Sequence, residues 1–398
     1  MAVVLLTLSL GAHVLMTASA HRQLWSMIDL DVYRWGGHAA RTTTHLYDDK
    51  YANFLSFTYP PIAAAIFVPL ADINFNALRV LVSLASIASL AVCIWVVFGA
   101  LGRARADRLT LTLAVTAIAV WLEPVQQTLK FGQINILLMA LVLVDLCQDD
   151  ARRRKGIGVG IAAGIKLTPA IFVVYLIVTR RFRAAATAVG SFISTVIIGF
   201  ALLPHESSRF WFDRLFLDAD RVGGVAYVAN QSLHGAFVRV AGGTAAADPW
   251  WLLAAIPVAA LGLWLATRRS MAGNEIHGIL LCALTGLLVS PVSWSHHWVW
   301  IAPALAVAVD YSLRCHRTRP WLLSGTIVLL SAAWIFHVVP GERLLPEGLL
   351  WFAPHEGDRE LHWTLAQTVI GNVYVVGGLA VLASTALLGQ IAHRRQRP

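Results

Sequence analysis

The chain has 398 residues, 58% of them hydrophobic and only 13% charged, where a soluble domain carries roughly 25% charged residues; an ordinary soluble enzyme is excluded. The formal net charge of +9 would suit nucleic acid, but the excess arginine sits in short loops between apolar runs, the pattern of cytoplasmic loops in a membrane protein. Nucleic acid is therefore set aside as a partner.

In chain order, runs that read as membrane crossings fall at roughly 1–20, 76–101, 108–122, 132–148, 184–204, 250–267, 274–291, 297–313, 320–339 and 368–391. The first ends in Ala18-Ser19-Ala20, which resembles a signal cleavage site. No Lys or Arg precedes its apolar run, so a retained helix is expected. Basic clusters lie at Arg103/Arg105/Arg108, Arg152/Arg153/Arg154/Lys155, Arg180/Arg181/Arg183, Arg268/Arg269, Arg314/Arg317/Arg319 and Arg394/Arg395/Arg397. With all six inside, the crossings alternate consistently and both termini are cytoplasmic.

That alternation makes 156–177 enter and leave by one side. Two half-length helices broken at Lys166-Leu167-Thr168-Pro169 satisfy it, because irregular backbone at membrane depth is tolerated where it is buried in protein or lines a cavity. Pro60 to Ala71 reads as a second partial segment. The expected fold is an all-α, polytopic membrane helical bundle of about ten crossings plus two short re-entrant segments. It forms a single transmembrane domain over 1–398, with outer loops 21–58, 205–249 and 340–367. Long loops in compact proteins are usually functional. Cys93, Cys147, Cys282 and Cys315 lie in apolar runs or beside basic loops, so no disulfide is expected, and their spacing suggests no metal site; Asp29-Leu30-Asp31 has Asp-x-Asp spacing, which leaves a metal open.

The polar motifs gather on the outer side. Asp29-Leu30-Asp31-Val32-Tyr33 sets two carboxylates directly after the first crossing. In an extended segment they would share a face, and such a carboxylate serves either as a general base or as a helix cap with a solvated charge. Phe57-Thr58-Tyr59-Pro60-Pro61 is a rigid re-entry into the membrane, with Tyr59 either lining a site or part of a structural corner. Glu123-Pro124 and Lys130-Phe131-Gly132-Gln133-Ile134-Asn135 form another outer boundary, whose Gln133 and Asn135 bind a sugar hydroxyl or a neighbouring helix. Asn230-Gln231-Ser232-Leu233-His234 is a compact polar run. Its match to a glycosylation sequon is expected to be accidental.

Ser290-Pro291-Val292-Ser293-Trp294-Ser295-His296-His297-Trp298-Val299-Trp300 is the least ordinary stretch, since ionisable residues at membrane depth mark functional sites by default. Adjacent His296 and His297 would diverge by about 100° on a helix, which disfavours joint metal binding. One of them suits a phosphate oxygen, and Trp294 offers a face to a sugar. Lys166 reads as a contact to a lipid phosphate or as a lysine snorkelling to the cytoplasmic surface, the latter being favoured. The charged run Glu342 to Glu360, with His355 and His362, reads as an acceptor contact or, preferably, as a solvated cap.

Taken together and in order, Asp29-Leu30-Asp31-Val32-Tyr33, Leu46-Tyr47, Thr58-Tyr59-Pro60-Pro61, Gly132-Gln133-Ile134-Asn135, Lys166-Leu167-Thr168-Pro169, Asn230-Gln231-Ser232 and Ser290-Pro291-Val292-Ser293-Trp294 with His296-His297 resemble glycosyltransferase family 87. These are actinobacterial polyprenol-phosphate-sugar-dependent transferases with the membrane-embedded C-type fold. The resemblance implies that Asp29 activates the acceptor hydroxyl, and that Asp31 stands at the variable position of the motif. It implies a polyprenyl-phosphate-mannose donor and a mannolipid or mannan acceptor at the outer face of a bacterial plasma membrane. The product would be an α-(1→2) linkage formed with inversion. Asp31, Tyr33, Tyr59, Lys130, Gln133, Asn135, Arg221, Asn230, Gln231, Trp294, His296 and His297 are the expected substrate contacts, with His296, His297, Lys130 and Arg221 candidates for the leaving phosphate. Oriented donors can stabilise that phosphate without a metal, and no cofactor is expected. Two alternatives stay open: an arabinofuranosyltransferase using decaprenyl-phosphate-arabinose, and a transporter or flippase of lipid-linked sugars.

Overall fold

The computed structural model describes residues 1–19, 27–42, 45–52, 54–218, 221–315, 319–337, 345–355 and 357–395. Ala20, Arg317, Glu342 and Arg397, all used in the sequence reading, lie outside the described residues. Each of the ten apolar runs contains helix: Ala2–Ser19, Phe75–Ala100, Arg105–Ala119, Asn135–Leu146, Phe182–Leu202, Thr244–Met271, Glu275–Val289, Ile301–Cys315, Arg319–Ser331 and Val373–Arg395. By length and composition, three of the described helices can cross a membrane: Phe75–Ala100, Phe182–Leu202 and Thr244–Met271. The number rises to five if two bent pairs each form one span: Glu123–Phe131 with Asn135–Leu146, bent by 118°, and Leu365–Gly371 with Val373–Leu388, bent by 77°. Helix length and composition thus support three to five of the ten expected spans, within a membrane-type helical fold.

The run expected over 320–339 stops being helical at Ser331. The aromatic and β-branched stretch Trp334–His337 then pairs antiparallel with Leu345–Glu347. Lys50–Tyr51 and Leu55–Ser56 form a second short ribbon, so the described residues are mainly helical with two small β ribbons.

Two compact units are present, one of residues 1–121 and 125–223, the other of 122–124 and 224–398. In the first, the segment 156–177 is broken at the Lys-Leu-Thr-Pro turn expected from its sequence. Helix Ile157–Ile165 stops where Lys166 turns extended (φ −147°, ψ 126°), a tight turn follows at Thr168–Ala170, and helix Ile171–Val178 continues. Asp145 holds the start of this segment by accepting from the Gly156 N–H (2.9 and 3.0 Å) and the Val159 N–H (2.9 Å). These are among the donors a helix N-terminus leaves unpaired. The segment packs against Phe182–Leu202 through small residues: a Cβ on Gly160 would fall 2.3 Å from the Ala188 carbonyl, and one on Gly164 2.1 Å from Thr195 Oγ1. Such stripes let membrane helices approach closely. In the second unit, Thr244–Met271 and Glu275–Val289 form the principal helix pair.

Candidate active site

Helix Ile28–Thr42 carries Asp29 and Asp31 in its first turn, where the helix dipole favours negative charge. Its entry is fixed from two sides. The Met27 N–H donates to the Lys130 carbonyl (3.2 Å). Gly132, at φ +68°, turns the chain out of helix Glu123–Phe131 and lies so close that a Cβ would sit 2.7 Å from Leu30 Cβ. This turn delivers Gln133, whose Nε2 donates to Asp29 Oδ2 at 2.7 Å. Tyr33 lies one turn beyond Asp29 on the same helix face. Its hydroxyl donates to Gln133 Oε1 at 2.8 Å, the Tyr59 hydroxyl does so at 3.1 Å, and the two phenol oxygens are 2.7 Å apart. Lys166 joins them from the broken segment: its Nζ donates to Asn135 Oδ1 at 2.9 Å and lies 5.4 Å from the Tyr59 ring centre.

The structure therefore gathers Asp29, Tyr33, Tyr59, Gln133 and Asn135, all expected, together with Lys166. Lysine 166 does not reach for the cytoplasmic surface as favoured above; the extended backbone at the break turns it toward Asn135. Burial pushes the Asp29 carboxyl up to about 6, while the Gln133 hydrogen bond and the Lys166 charge pull it back down. A half-buried carboxylate of that basicity can take a proton from a hydroxyl near neutral pH.

Other expected contacts lie elsewhere in the first unit. Because Asp29 and Asp31 are on a helix and not in extended chain, they point about 200° apart. Asp31 is engaged with Arg34 Nη1 (3.1 Å) and the Tyr51 hydroxyl (2.5 Å). Lys130 Nζ lies 5.9 Å from the Phe131 ring centre. Arg221 donates to the Tyr47 carbonyl at 2.8 Å and borders a small cavity of about 30 Å³ with Tyr47, Phe57 and Phe210.

The second unit holds the remaining candidates. Asn230, Gln231 and Ser232 are fully buried, and their side chains are committed to backbone. Asn230 Nδ2 donates to the Val225 carbonyl (3.0 Å), and its Oδ1 accepts from the Ser293 N–H (2.9 Å). Gln231 Nε2 donates to the carbonyls of Val228 (2.8 Å) and Gly371 (2.6 Å), while Oε1 accepts from the Tyr374 N–H (3.2 Å). Ser232 Oγ caps helix Leu233–Ala241 through the Gly235 N–H. The sequon that Asn230 begins is not presented at the surface. Asn230 also bridges to Trp294, which leads into a tight turn, Ser295–Trp300. There His296 is buried and His297 half-buried, their rings edge to face at 4.8 Å.

Two residues gain a role that sequence reasoning did not give them. Arg239 is 3% exposed and donates to the carbonyls of Ala226, Tyr227 and Asn230 at 3.2, 3.0 and 2.9 Å, and to Asn372 Oδ1. It shapes the chain before the Asn-Gln-Ser run; the only sequence signal is a lone arginine inside an apolar helical pattern. Glu123, completely buried, accepts from Trp351 Nε1 (3.0 Å) and the Tyr374 hydroxyl (2.7 Å). Those partners are more than 200 positions away, beyond any local pattern.

Known proteins resemble this chain over most of its length. A family model, Glycosyltransferase family 87, matches residues 57–291. The chain is 33% identical over 373 residues to a polyprenol-phosphate-mannose-dependent alpha-(1-2)-phosphatidylinositol mannoside mannosyltransferase of Mycobacterium tuberculosis (strain ATCC 25618 / H37Rv), covering 89% of this chain and 85% of the relative. It is 35% identical over 403 residues to a polyprenol-phosphate-mannose-dependent alpha-(1-2)-phosphatidylinositol pentamannoside mannosyltransferase of Mycobacterium tuberculosis (strain CDC 1551 / Oshkosh), covering 100% of this chain and 89% of that one. A phosphatidylinositol mannoside mannosyltransferase of Mycolicibacterium smegmatis is 32% identical over 387 residues, or 91% and 84% of the two chains. No solved structure matches.

Proposed function

This chain belongs to glycosyltransferase family 87, and from that premise we propose that it transfers mannose from a polyprenyl-phosphate-mannose donor to a phosphatidylinositol mannoside, forming an α-(1→2) linkage, with Asp29 as the base. The observation that carries this reading is the half-buried hydrogen bond of 2.7 Å from Gln133 to a raised-pKa carboxylate at the head of helix Ile28–Thr42. The relatives' names supply the donor and acceptor class.

The reaction is a single displacement. The acceptor 2-hydroxyl oxygen attacks the anomeric carbon as Asp29 takes its proton, and the bond from that carbon to the phosphate oxygen breaks. Polyprenyl phosphate leaves with the electron pair, so a β-linked donor gives an α-linked product. Holding the hydroxyl against the carboxylate replaces an encounter in solution by a positioned one. Lys166, near enough to Asp29 to lower its pKa, is the cation this site offers to the charge that develops on the phosphate.

In the same reading the chain crosses the membrane about ten times, with both termini cytoplasmic and Asp29 outside; the six arginine-rich clusters support this.

The test supplies purified protein in nanodiscs with radiolabelled polyprenyl-phosphate-mannose or decaprenyl-phosphate-arabinose, and a phosphatidylinositol mannoside acceptor. Mannose alone should be incorporated, and an exo-α-(1→2)-mannosidase should release it. Arabinose incorporation, or label resistant to that mannosidase, would contradict the proposal.

A further inference from the structure

Tyr33, Tyr59 and Gln133 carry three oxygens in a closed triangle, 2.7, 2.8 and 3.1 Å on its edges. Two phenolic protons serve those three edges. If both phenols donate to the amide, Oε1 accepts twice; if one donates to the other, the second still donates to Oε1. Every arrangement within the triangle puts at least one proton on Oε1, which leaves the amide nitrogen to face Asp29 Oδ2 at 2.7 Å. An amide nitrogen only donates and an ionised carboxylate only accepts, so the triangle matches the deprotonated acid. The rings are fixed in place: Tyr33 stacks on Phe67 at 4.6 Å, and Tyr59 meets Tyr33 edge on at 5.2 Å. All three side chains are buried.

We infer that Tyr33, Tyr59 and Gln133 are positioning residues that hold Asp29 ready to accept a proton, and not ligands of the sugar. This rests on Asp29 being the base of the proposed reaction. The titratable groups acting on Asp29 are Lys166 from the broken segment and the Tyr33 and Tyr59 phenols. Asp31, on the same helix, is turned to Arg34 and Tyr51, and Lys130 reaches this corner through its carbonyl.

The relay makes an unusual demand on mutants. In Tyr33→Phe or Tyr59→Phe one phenol still donates to Oε1, so the two single losses multiplied together should fall well short of the loss in the double variant. In Tyr33→Phe/Tyr59→Phe the buried Oε1 loses both donors. Amide rotation then brings oxygen toward Asp29, which favours the protonated acid.

The experiment measures mannosyl transfer against pH in nanodiscs for wild type, both single variants, the double variant and Gln133→Met. In parallel, the Asp29 carboxyl band is titrated by infrared spectroscopy without substrate, as a difference from Asp29→Asn. The double variant and Gln133→Met should keep their acceptor KM and lose kcat. Their acidic limb and infrared midpoint should both rise by about one pH unit, roughly tenfold less ionised Asp29 below the limb. Additive losses in the single variants, expressed in KM with an unmoved limb, would make these residues sugar ligands and overturn the inference. An unmoved infrared midpoint in the double variant would overturn it even where transfer is lost. A wild type that transfers no mannose while the midpoint still shifts would sink the reading of the chain as a mannosyltransferase and leave the relay standing.

Discussion

Replacing Gly132 by alanine should damage both the fold and the site, by amounts the geometry sets. At φ +68° a residue with a Cβ costs about 1–2 kcal/mol. The new Cβ would also stand 2.7 Å from Leu30 Cβ and 3.2 Å from Met27 Cβ. Neither is the yielding tip of a long side chain, so overpacking adds about 1–3 kcal/mol. The sum, about 2–5 kcal/mol, is a large fraction of the ~5–15 kcal/mol that holds a typical domain together. Relief by moving helix Ile28–Thr42 away would draw Asp29 off Gln133, so transfer should fall further than stability alone predicts. Denaturant titration of the purified protein in detergent, beside the transfer assay, measures both. Gly190→Ala is the control: it sits in helix Phe182–Leu202 with nothing within 4 Å of its Cβ position, and should be neutral or slightly stabilising. A Gly132→Ala protein that unfolds at the wild-type midpoint and transfers mannose at the wild-type rate would refute the reasoning.

Asp29 should make activity and stability run in opposite directions with pH. Its carboxyl sits at about 6 in the folded protein against an ordinary 3.8, so between those values the folded chain holds a proton that the unfolded chain has released. The stability contribution is full below about 3.8 and lost as pH rises past about 6, the window over which transfer should switch on; melting curves of wild type and Asp29→Asn should separate across it. Asp145→Ala would leave the buried Gly156 and Val159 N–H groups without their acceptor, a loss of about 2–5 kcal/mol visible in the same denaturant titration. It should also lower transfer, because the segment it caps carries Lys166.

What was legible in the sequence was what repeats locally. Apolar runs located helix in all ten places, and the Lys-Leu-Thr-Pro turn foretold the break at Lys166, because proline and flanking arginines leave that stretch few options. The motif residues Asp29, Tyr33, Tyr59, Gln133 and Asn135 meet in space as expected. Their directions were not legible. Asp31 turns away because the segment is helical, which a five-residue motif does not reveal. Lys166 turns toward Asn135 because of a backbone angle at the break. Asn230 and Gln231, expected as substrate contacts from the resemblance, have as side-chain partners carbonyls and N–H groups of residues 225, 228, 291, 293, 371 and 374. A buried polar side chain must find a partner, and sequence does not say whether that partner is a substrate or a distant stretch of the same chain.

The central claim is that Asp29 removes the acceptor proton, and Asp29→Asn tests it most directly. Asparagine keeps an oxygen for the Gln133 amide and lacks the proton affinity, so it separates chemistry from folding. In nanodiscs with radiolabelled polyprenyl-phosphate-mannose and a phosphatidylinositol mannoside acceptor, wild type should transfer mannose. The variant, melting no lower than wild type at pH 7, should lose transfer by about two orders of magnitude or more, as expected when a general base is removed. Undiminished transfer by the folded variant would contradict the assignment and place the base on another residue.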